Sequence, residues 1–273
     1  MPLYIDIHEL KGVRAADVAK AHAADVEKQG AHDVNYLKYW VNESCGKVFC
    51  LVDAPSSEAA VCVHREAHGL EPGRIIEVQP EVVDAFIGGG EVNEVGAALV
   101  PGRGDLDTAQ RTILFTDMVG STSMTQQLGD RAALRLLELH DAVVRECLAQ
   151  LHGREVKHTG DGIMACFLFA PDAVQCGLQI QRQLAARSSE LDHAVRLRIG
   201  AAAGEPVEQR GDFFGLTVNL AARLCAHAQP EQMLVTADVV ELCSGADLNF
   251  EGVGELALKG FDRPVPAYAA VAV

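Results

Sequence analysis

The chain has 273 residues, 49% of them hydrophobic and 22% charged, with 38 acidic against 23 basic side chains and a formal net charge of −15. That length suits two domains with a core each, and that composition excludes a wholly disordered or collagen-like chain. The negative balance disfavours nonspecific binding to nucleic acid, no run of 18 apolar residues offers a membrane span, and Met1-Pro2-Leu3-Tyr4-Ile5-Asp6 lacks the basic and apolar regions of a secretion leader.

The first 80 residues predict a strand over Leu3–Ile7, a helix over Arg14–Gln29, strands over Val34–Val41 and Lys47–Val52, a helix over Ser57–His68 and a strand over Arg74–Val78. The order β-α-β-β-α-β is that of the ferredoxin-like split unit. Beyond Pro80 the periodicity fades. A short helix is expected over Val82–Ile87, and the Gly, Pro and acidic content from Gly88-Gly89-Gly90 to Pro101-Gly102-Arg103-Gly104-Asp105 reads as a linker, placed at 81–107.

From Arg111 the pattern returns. It predicts a strand over Thr112–Thr116, one long helix from about Ser123 to Leu151, and a hairpin of Glu155–Thr159 and Ile163–Phe169. A helix over Ala173–Arg187, a strand over Val195–Ala203, a helix over Val218–Ala228 and a strand over Met233–Val235 follow. The same β-α-β-β-α-β order opens this half, without sequence self-similarity to the first. Eight cysteines are scattered through both halves without CxxC pairs, which predicts reduced thiols and a cytoplasmic protein.

Asp117 ends an apolar strand and precedes Met118-Val119-Gly120-Ser121-Thr122, which leads into a helix. A carboxylate beside the amides of a helix N-terminus can hold a cation while those amides hold its phosphate ligands. Asp161, in Thr159-Gly160-Asp161-Gly162, suits an ordinary hairpin turn as well as a metal site. Hard oxygen ligands at both positions suit magnesium or manganese. Asn219 and Arg223 are four apart on a helix and share a face, either a solvated one or one that grips a ribose and a phosphate.

Taken together, Phe115-Thr116-Asp117-Met118-Val119-Gly120-Ser121-Thr122, Lys157-His158-Thr159-Gly160-Asp161-Gly162 and Asp212-Phe213-Phe214-Gly215-Leu216-Thr217-Val218-Asn219-Leu220-Ala221-Ala222-Arg223 resemble the catalytic signature of class III adenylate and guanylate cyclases. The resemblance covers about residues 108–273 and includes Leu258-Lys259-Gly260. It implies an α+β chain of two domains, 1–80 ferredoxin-like and 108–273 a class III cyclase fold with a ferredoxin-like core and additions. It implies a metal site at Asp117 and Asp161, with Met118 beside them, holding two divalent cations, Mg2+ or Mn2+. Gly120, Ser121, Thr122 and Lys259 fall at phosphate-binding positions, Lys157 and Asp212 at base-reading positions, and Asn219 and Arg223 at catalytic ones. The lysine and aspartate pattern matches adenine better than guanine, so the implied activity is conversion of ATP to cyclic AMP and pyrophosphate. Because in this family the metal pair and the base-reading groups of one site come from different subunits, the resemblance also implies a head-to-tail homodimer. The alternatives are a guanylate cyclase and a nucleotide- or metal-binding signalling protein without turnover; a diguanylate cyclase would carry a Gly-Gly-acidic hairpin, which Gly160-Asp161-Gly162 does not supply.

In the first domain His64 and His68 lie one helical turn apart, with Cys50 on the preceding strand and His22 on the other helix. The set reads either as ligands of a borderline-soft metal or as a core thiol and a helix-end histidine. Tyr39-Trp40-Val41, Val48-Phe49-Cys50-Leu51-Val52-Asp53-Ala54-Pro55 and Val63-His64-Arg65-Glu66-Ala67-His68-Gly69-Leu70 resemble a small bacterial ferredoxin-like family with nickel-binding members. This resemblance implies a sensor domain with Cys50, His64 and His68 as candidate ligands of Ni2+ or another transition metal.

Overall fold

The computed structural model describes residues 1–78, 91–100, 104–188, 193–209 and 212–271. The chain divides into two compact units, the first running from Met1 to Gln110 and the second beginning at Arg111.

In the first unit β1 (Leu3–Glu9), α1 (Ala15–Lys28), β2 (Asn35–Asn42), β3 (Lys47–Asp53), α2 (Ser57–Ala67) and β4 (Arg74–Val78) follow the expected order. The sheet order β2-β3-β1-β4, with antiparallel pairing of β1 to both β3 and β4, is that of the ferredoxin-like fold. Period two along β1 turns Tyr4, Asp6 and His8 inward, so two polar residues stand where the pattern favours apolar ones. The inner face of α1 is Val18, His22 and Asp25. The Ser56 hydroxyl accepts the Ala59 N–H at 3.3 Å and starts α2, whose buried face is Ala60, Val63 and His64.

Part of the expected linker is structured and belongs to this unit. The Tyr39 N–H donates to Gly96 O at 3.0 Å and the Ala98 N–H donates to Tyr39 O at 2.6 Å, which lays Ala97 and Ala98, both buried, beside β2. Polar and glycine-rich flanks masked the short apolar run Ala97–Val100 in the sequence. Gly96 is required here, with φ of +82° and space for a Cβ only 2.5 Å from His22 Nε2. The helix expected over Val82–Ile87 lies outside the described residues, as do Gly88–Gly90 and Pro101–Arg103.

The second unit contains β5 (Arg111–Met118), α3 (Ser121–Leu128), α4 (Asp130–Gln150), β6 (Arg154–His158), β7 (Ile163–Phe167), α5 (Ala170–Ser188) and β8 (Leu197–Gly204). After the short β9 (Val207–Gln209), whose Glu208 and Gln209 are counted with the first unit, it continues with β10 (Asp212–Phe214), α6 (Leu216–His227), β11 (Met233–Thr236), α7 (Ala237–Leu242), β12 (Asn249–Leu256) and β13 (Val265–Val271). Seven strands form one sheet in the order β12-β13-β11-β8-β5-β7-β6, so β8-β5-β7-β6 is a ferredoxin-like core and β11, β13 and β12 extend it. β11 joins β8 in parallel, as the crossover through α6 requires. The single helix expected over Ser123–Leu151 is two helices. Gly129, at φ of +77° and ψ of 161°, leaves helical space and breaks it.

Three contacts fix the β6–β7 hairpin against the end of β5. The Met118 N–H donates to Asp161 O at 3.0 Å, the Ile163 N–H donates to Thr116 Oγ1 at 2.9 Å, and a Cβ on Gly162 would stand 1.9 Å from Thr116 O. Thr116 Oγ1 also lies 3.2 Å from Nε2 of the buried His140 on α4, whose Nδ1 is 2.9 Å from Asp141 Oδ1. This network assigns the Nδ1–H of His140 to Asp141 and leaves Nε2 to accept from the Thr116 hydroxyl. Burial lowers the His140 pKa below its ordinary value and outweighs the opposing hydrogen bond to Asp141.

Gly200→Ala should destabilise the second unit by about 3 kcal/mol, because the added Cβ would lie 2.2 Å from Cys225 N and 2.4 Å from Ala221 O in the backbone of α6. Calorimetry should show the loss, while the transition reported by the fluorescence of Trp40, the single tryptophan and a residue of the first unit, stays in place. Because His140 is held neutral in the folded state, below about pH 6.5 the unfolded chain binds a proton that the folded chain resists, and stability falls. The calorimetric transition of the second unit should therefore drop between about pH 7.5 and about pH 5.5. His140→Gln should flatten that slope; an unchanged slope would refute the assignment.

Candidate active site

Asp117 and Asp161 are brought to one end of β5 by the contacts just described. Gly120, at φ of +69°, turns the chain into α3, and the Ser121 hydroxyl donates to Asp161 Oδ2 at 2.5 Å. Asp117 is met from the neighbouring strand: Asp117 and Arg198 are register partners on β5 and β8, and Nε of Arg198 donates to Asp117 Oδ2 at 3.0 Å, with Nη2 closer still. Met118 buries its side chain in the core, so it offers the site its backbone. Thr122 is exposed, and an open cleft of about 580 Å3 is lined in part by Met118, Ser121, Thr122, Gly160 and Asp161. Two carboxylates with the Ser121 hydroxyl beside them fit a hard divalent cation, and Arg198 already supplies one positive charge against them.

The remaining candidates form two other groups. Lys157, on β6, makes an ion pair with Asp212, on β10, with both side chains partly open to solvent. The Phe213 N–H donates to Asp212 Oδ1 at 2.8 Å, and the buried Phe213 ring carries the Arg154 guanidinium at 5.5 Å, which anchors the aspartate's strand. On α6, Asn219 and Arg223 are exposed, and Arg223 Nε donates to Lys259 O at 3.1 Å, joining the helix to the Leu258-Lys259-Gly260 turn. Arg198 is the residue that the sequence left unnoticed. Its signal was a charge inside an otherwise apolar strand, but its partner depends on the β5–β8 pairing.

The first unit holds a second concentration of chemistry. His64 Nε2 lies 2.9 Å from Asp6 Oδ2 and His64 Nδ1 lies 3.0 Å from Asp25 Oδ1. His68 Nε2 is 3.2 Å from Asp25 Oδ2, and His8 Nε2 is 3.1 Å from Asp6 Oδ1. Cys50 is the register partner of Asp6 on β3. Asp6, His8, Cys50, His64 and Asp25 are all buried. Burial alone would lower the His64 pKa, but its hydrogen bonds to Asp25 and Asp6 hold it up at about 9. Burial would likewise raise both carboxyls, and their histidine partners bring them below the ordinary range. The Cys50 thiol is pushed up by burial and by the adjacent Asp6. Asp6, His8, Cys50 and His64 offer ligand atoms within 4.8 Å of one another, as do Asp25, His64 and His68. Of the expected trio Cys50, His64 and His68, the histidines belong together in one set and Cys50 with His64 in the other. Sequence reasoning missed Asp6, His8 and Asp25. The signal for the β1 pair was two polar residues at inward positions of a strand.

Residues 106–269, more than half of the chain, match the adenylate and guanylate cyclase catalytic domain family, and residues 4–78 match the family described as nickel responsive protein SCO4226-like. A putative adenylate cyclase 3 of Rhizobium meliloti is 34% identical over 56% of this chain and 27% of its own length. An adenylate cyclase of Streptomyces coelicolor is 33% identical over 49% of this chain and 34% of its own. The chain thus spans well under half of these relatives. An adenylate/guanylate cyclase/hydrolase structure from Silicibacter pomeroyi is 30% identical, with a TM-score of 0.55, and is matched over 60% of this chain and 97% of its own. The adenylyl cyclase CyaB of P. aeruginosa, 22% identical with a TM-score of 0.55 over 60% of this chain and 94% of its own, shares the fold. Among the described residues no helix is long and apolar enough to cross a membrane. With its seven-strand sheet, its paired carboxylates and these matches, the chain belongs to the adenylate and guanylate cyclase catalytic domain family.

Proposed function

We propose that this chain is an adenylate cyclase, converting ATP to 3′,5′-cyclic AMP and pyrophosphate at sites shared by two copies, with an output tuned by the first unit. The ion pair of Lys157 with Asp212 carries the reading. An ammonium and a carboxylate side by side match the edge of adenine, where a ring nitrogen accepts and the exocyclic amine donates. Guanine presents a carbonyl to the carboxylate and leaves both partners unsatisfied. The relatives named adenylate cyclase support the same substrate.

Asp117 and Asp161 would hold two divalent cations, Mg2+ or Mn2+, with Met118 contributing backbone. Such ions neutralise the triphosphate and make the ribose 3′-hydroxyl more acidic. The chain's own groups do the positioning. Amides and hydroxyls at Gly120, Ser121 and Thr122 would receive phosphate oxygens at the start of α3. Asn219 would orient the ribose, Arg223 would meet charge developing on the α-phosphoryl group, and Lys259 would hold the terminal phosphates. The 3′-hydroxyl gives its proton to solvent, its oxygen bonds to the α-phosphorus as the bond to the α–β bridging oxygen breaks, and pyrophosphate leaves. The carboxylate group of residues and the Lys157, Asn219 and Arg223 groups would come from different copies, in a head-to-tail homodimer. All eight cysteines are thiols, which supports a reducing cytoplasmic setting.

Purified chain given ATP or GTP with manganese should yield cyclic AMP by mass spectrometry, and Asp117→Ala should abolish it. No cyclic product from either nucleotide would refute the proposal. Asp212→Asn should cost at least about tenfold in the ATP over GTP ratio of kcat/KM, the worth of one hydrogen bond to a charged group. Asp117→Ala mixed with Asn219→Ala should recover activity that neither shows alone; no recovery would argue against a shared site.

The first unit's match to a nickel-responsive family and its buried histidine, carboxylate and thiol groups favour a transition metal, Ni2+ foremost, as its signal. Nitrogen, sulfur and oxygen donors together suit a borderline divalent ion. Cys50, His64 and His68 were the candidates legible in the sequence.

A further inference from the structure

The two overlapping clusters around His64 cannot both be ligand sets as they stand, and their hydrogen bonds distinguish them. The Leu70 N–H donates to His68 Nδ1 at 3.1 Å, so that nitrogen carries the lone pair. The neutral ring then bears its proton on Nε2, which points at Asp25 Oδ2 and has no lone pair to give a cation. Asp25 therefore receives two N–H groups, one from His68 Nε2 and one from His64 Nδ1, two nitrogens that lie 3.2 Å apart around the carboxylate they share. The other nitrogen of His64, Nε2, donates to Asp6 Oδ2 at 2.9 Å, so the ring here holds a proton on each nitrogen. Giving up the Nε2 proton to solvent leaves a neutral imidazole whose lone pair faces Asp6, His8 and Cys50, whereas the already neutral His68 could free its Nε2 only as an imidazolate. A carboxylate that holds the far N–H of a histidine whose near nitrogen binds a metal is the recurrent outer support of metal-ligating histidines.

An independent observation points to the same place. Among the described residues His8 Nδ1 has no hydrogen-bond partner, and Asp6 Oδ1 has only His8 Nε2 beside it, at 3.1 Å and poorly directed for a hydrogen bond. Both atoms belong to side chains exposed by 5% or less, where an unpaired polar atom is costly. Cys50, the register partner of Asp6 on the neighbouring strand, adds a thiol whose sulfur lies within 4.8 Å of the other three ligand atoms and would bind a cation as the thiolate. A four-coordinate ion with bonds of about 2.0–2.3 Å sets its ligand atoms about 3.3–3.8 Å apart. The ligand atoms here already lie within 4.8 Å of one another, so closure needs side-chain shifts of about 1 Å. A cavity of about 70 Å3, lined by His8, Cys50 and His64 and walled by Leu10, Val18 and Leu70, borders the cluster.

We infer that Asp6, His8, Cys50 and His64 through Nε2 form a closed four-ligand site for one borderline divalent ion, with Asp25 as the orienting partner of His64 and His68 as the support of Asp25. This rests on the metal-responsive reading of the first unit and replaces His68 as a ligand by Asp6 and His8. The three elements tied by the ion are β1, β3 and α2, so occupancy locks the helix to the sheet.

Co2+ is the probe, because a thiolate ligand gives it a near-ultraviolet charge-transfer band and a four-coordinate shell gives it visible bands. Full-length chain titrated with Co2+ should show both, saturating at one equivalent per chain, and Ni2+ should compete. Cys50→Ser should remove the charge-transfer band. Asp6→Asn and His64→Gln should abolish the visible bands, with circular dichroism confirming that each variant is folded; Cys50→Ala serves where serine disturbs packing. His68→Ala and Asp25→Asn should keep the shape of the spectrum and weaken affinity about 10- to 100-fold, as loss of an outer partner does. A charge-transfer band that survives Cys50→Ser, or a spectrum lost in His68→Ala, would overturn the ligand assignment while the first unit still binds metal. Absence of any Co2+ or Ni2+ binding would overturn the metal-responsive reading as well.

Discussion

The second unit depends on one close approach, that of the β6–β7 hairpin to the end of β5. Gly162 passes so near Thr116 O that a methyl group would overlap it, and the Met118 N–H donates to the Asp161 carbonyl. Two acidic residues 44 positions apart thereby come to one strand end. Thr116 accepts the Ile163 N–H and meets His140, so a helix, a central strand and a hairpin share one hydroxyl. For the proposed cyclase, this fixed placement would supply the preorganisation that electrostatic catalysis requires.

Both units use the same ferredoxin-like order, but they spend their buried polar residues differently. In the second unit the core is mostly apolar, with His140 and Thr116 buried at its edge, and the candidate site's polar groups sit at strand ends and on the exposed face of α6. In the first, Asp6, His8, Asp25 and His64 occupy inward positions of β1, α1 and α2, where hydrophobic residues would pack more simply. Ionised carboxylates in such a place require partners, and the imidazoles supply them. A core arranged around charge in a fold that does not need it is what the proposed metal site would require.

Much of this was legible in the sequence because regular periodicity and local turn residues coincide with the elements they predict. The strand Arg74–Val78 and the order of both cores follow from alternation and spacing alone. The long helix failed at Gly129, since leucines on both sides keep the helical period through a residue whose backbone does not. Strands β12 and β13 went unseen. Nearly every residue of Asn249–Leu256 is exposed, so no inward and outward alternation marks it. Of the site, Asp117, Asp161, Lys157 and Asp212 were readable from motif segments, whereas Arg198, Asp6, His8 and Asp25 gain meaning from pairing across strands or packing of helix on sheet. Long-range register is the information that a linear pattern lacks.

The guanidinium of Arg198 on Asp117 bears on how the catalytic end behaves before any nucleotide arrives. Two carboxylates against one guanidinium leave a single negative charge at this strand end, so its repulsion is already halved without any bound ion. A divalent cation held there as proposed would compete with the guanidinium for an oxygen of Asp117, and an Arg198 released by that competition would have its N–H groups to offer to an anion beside it.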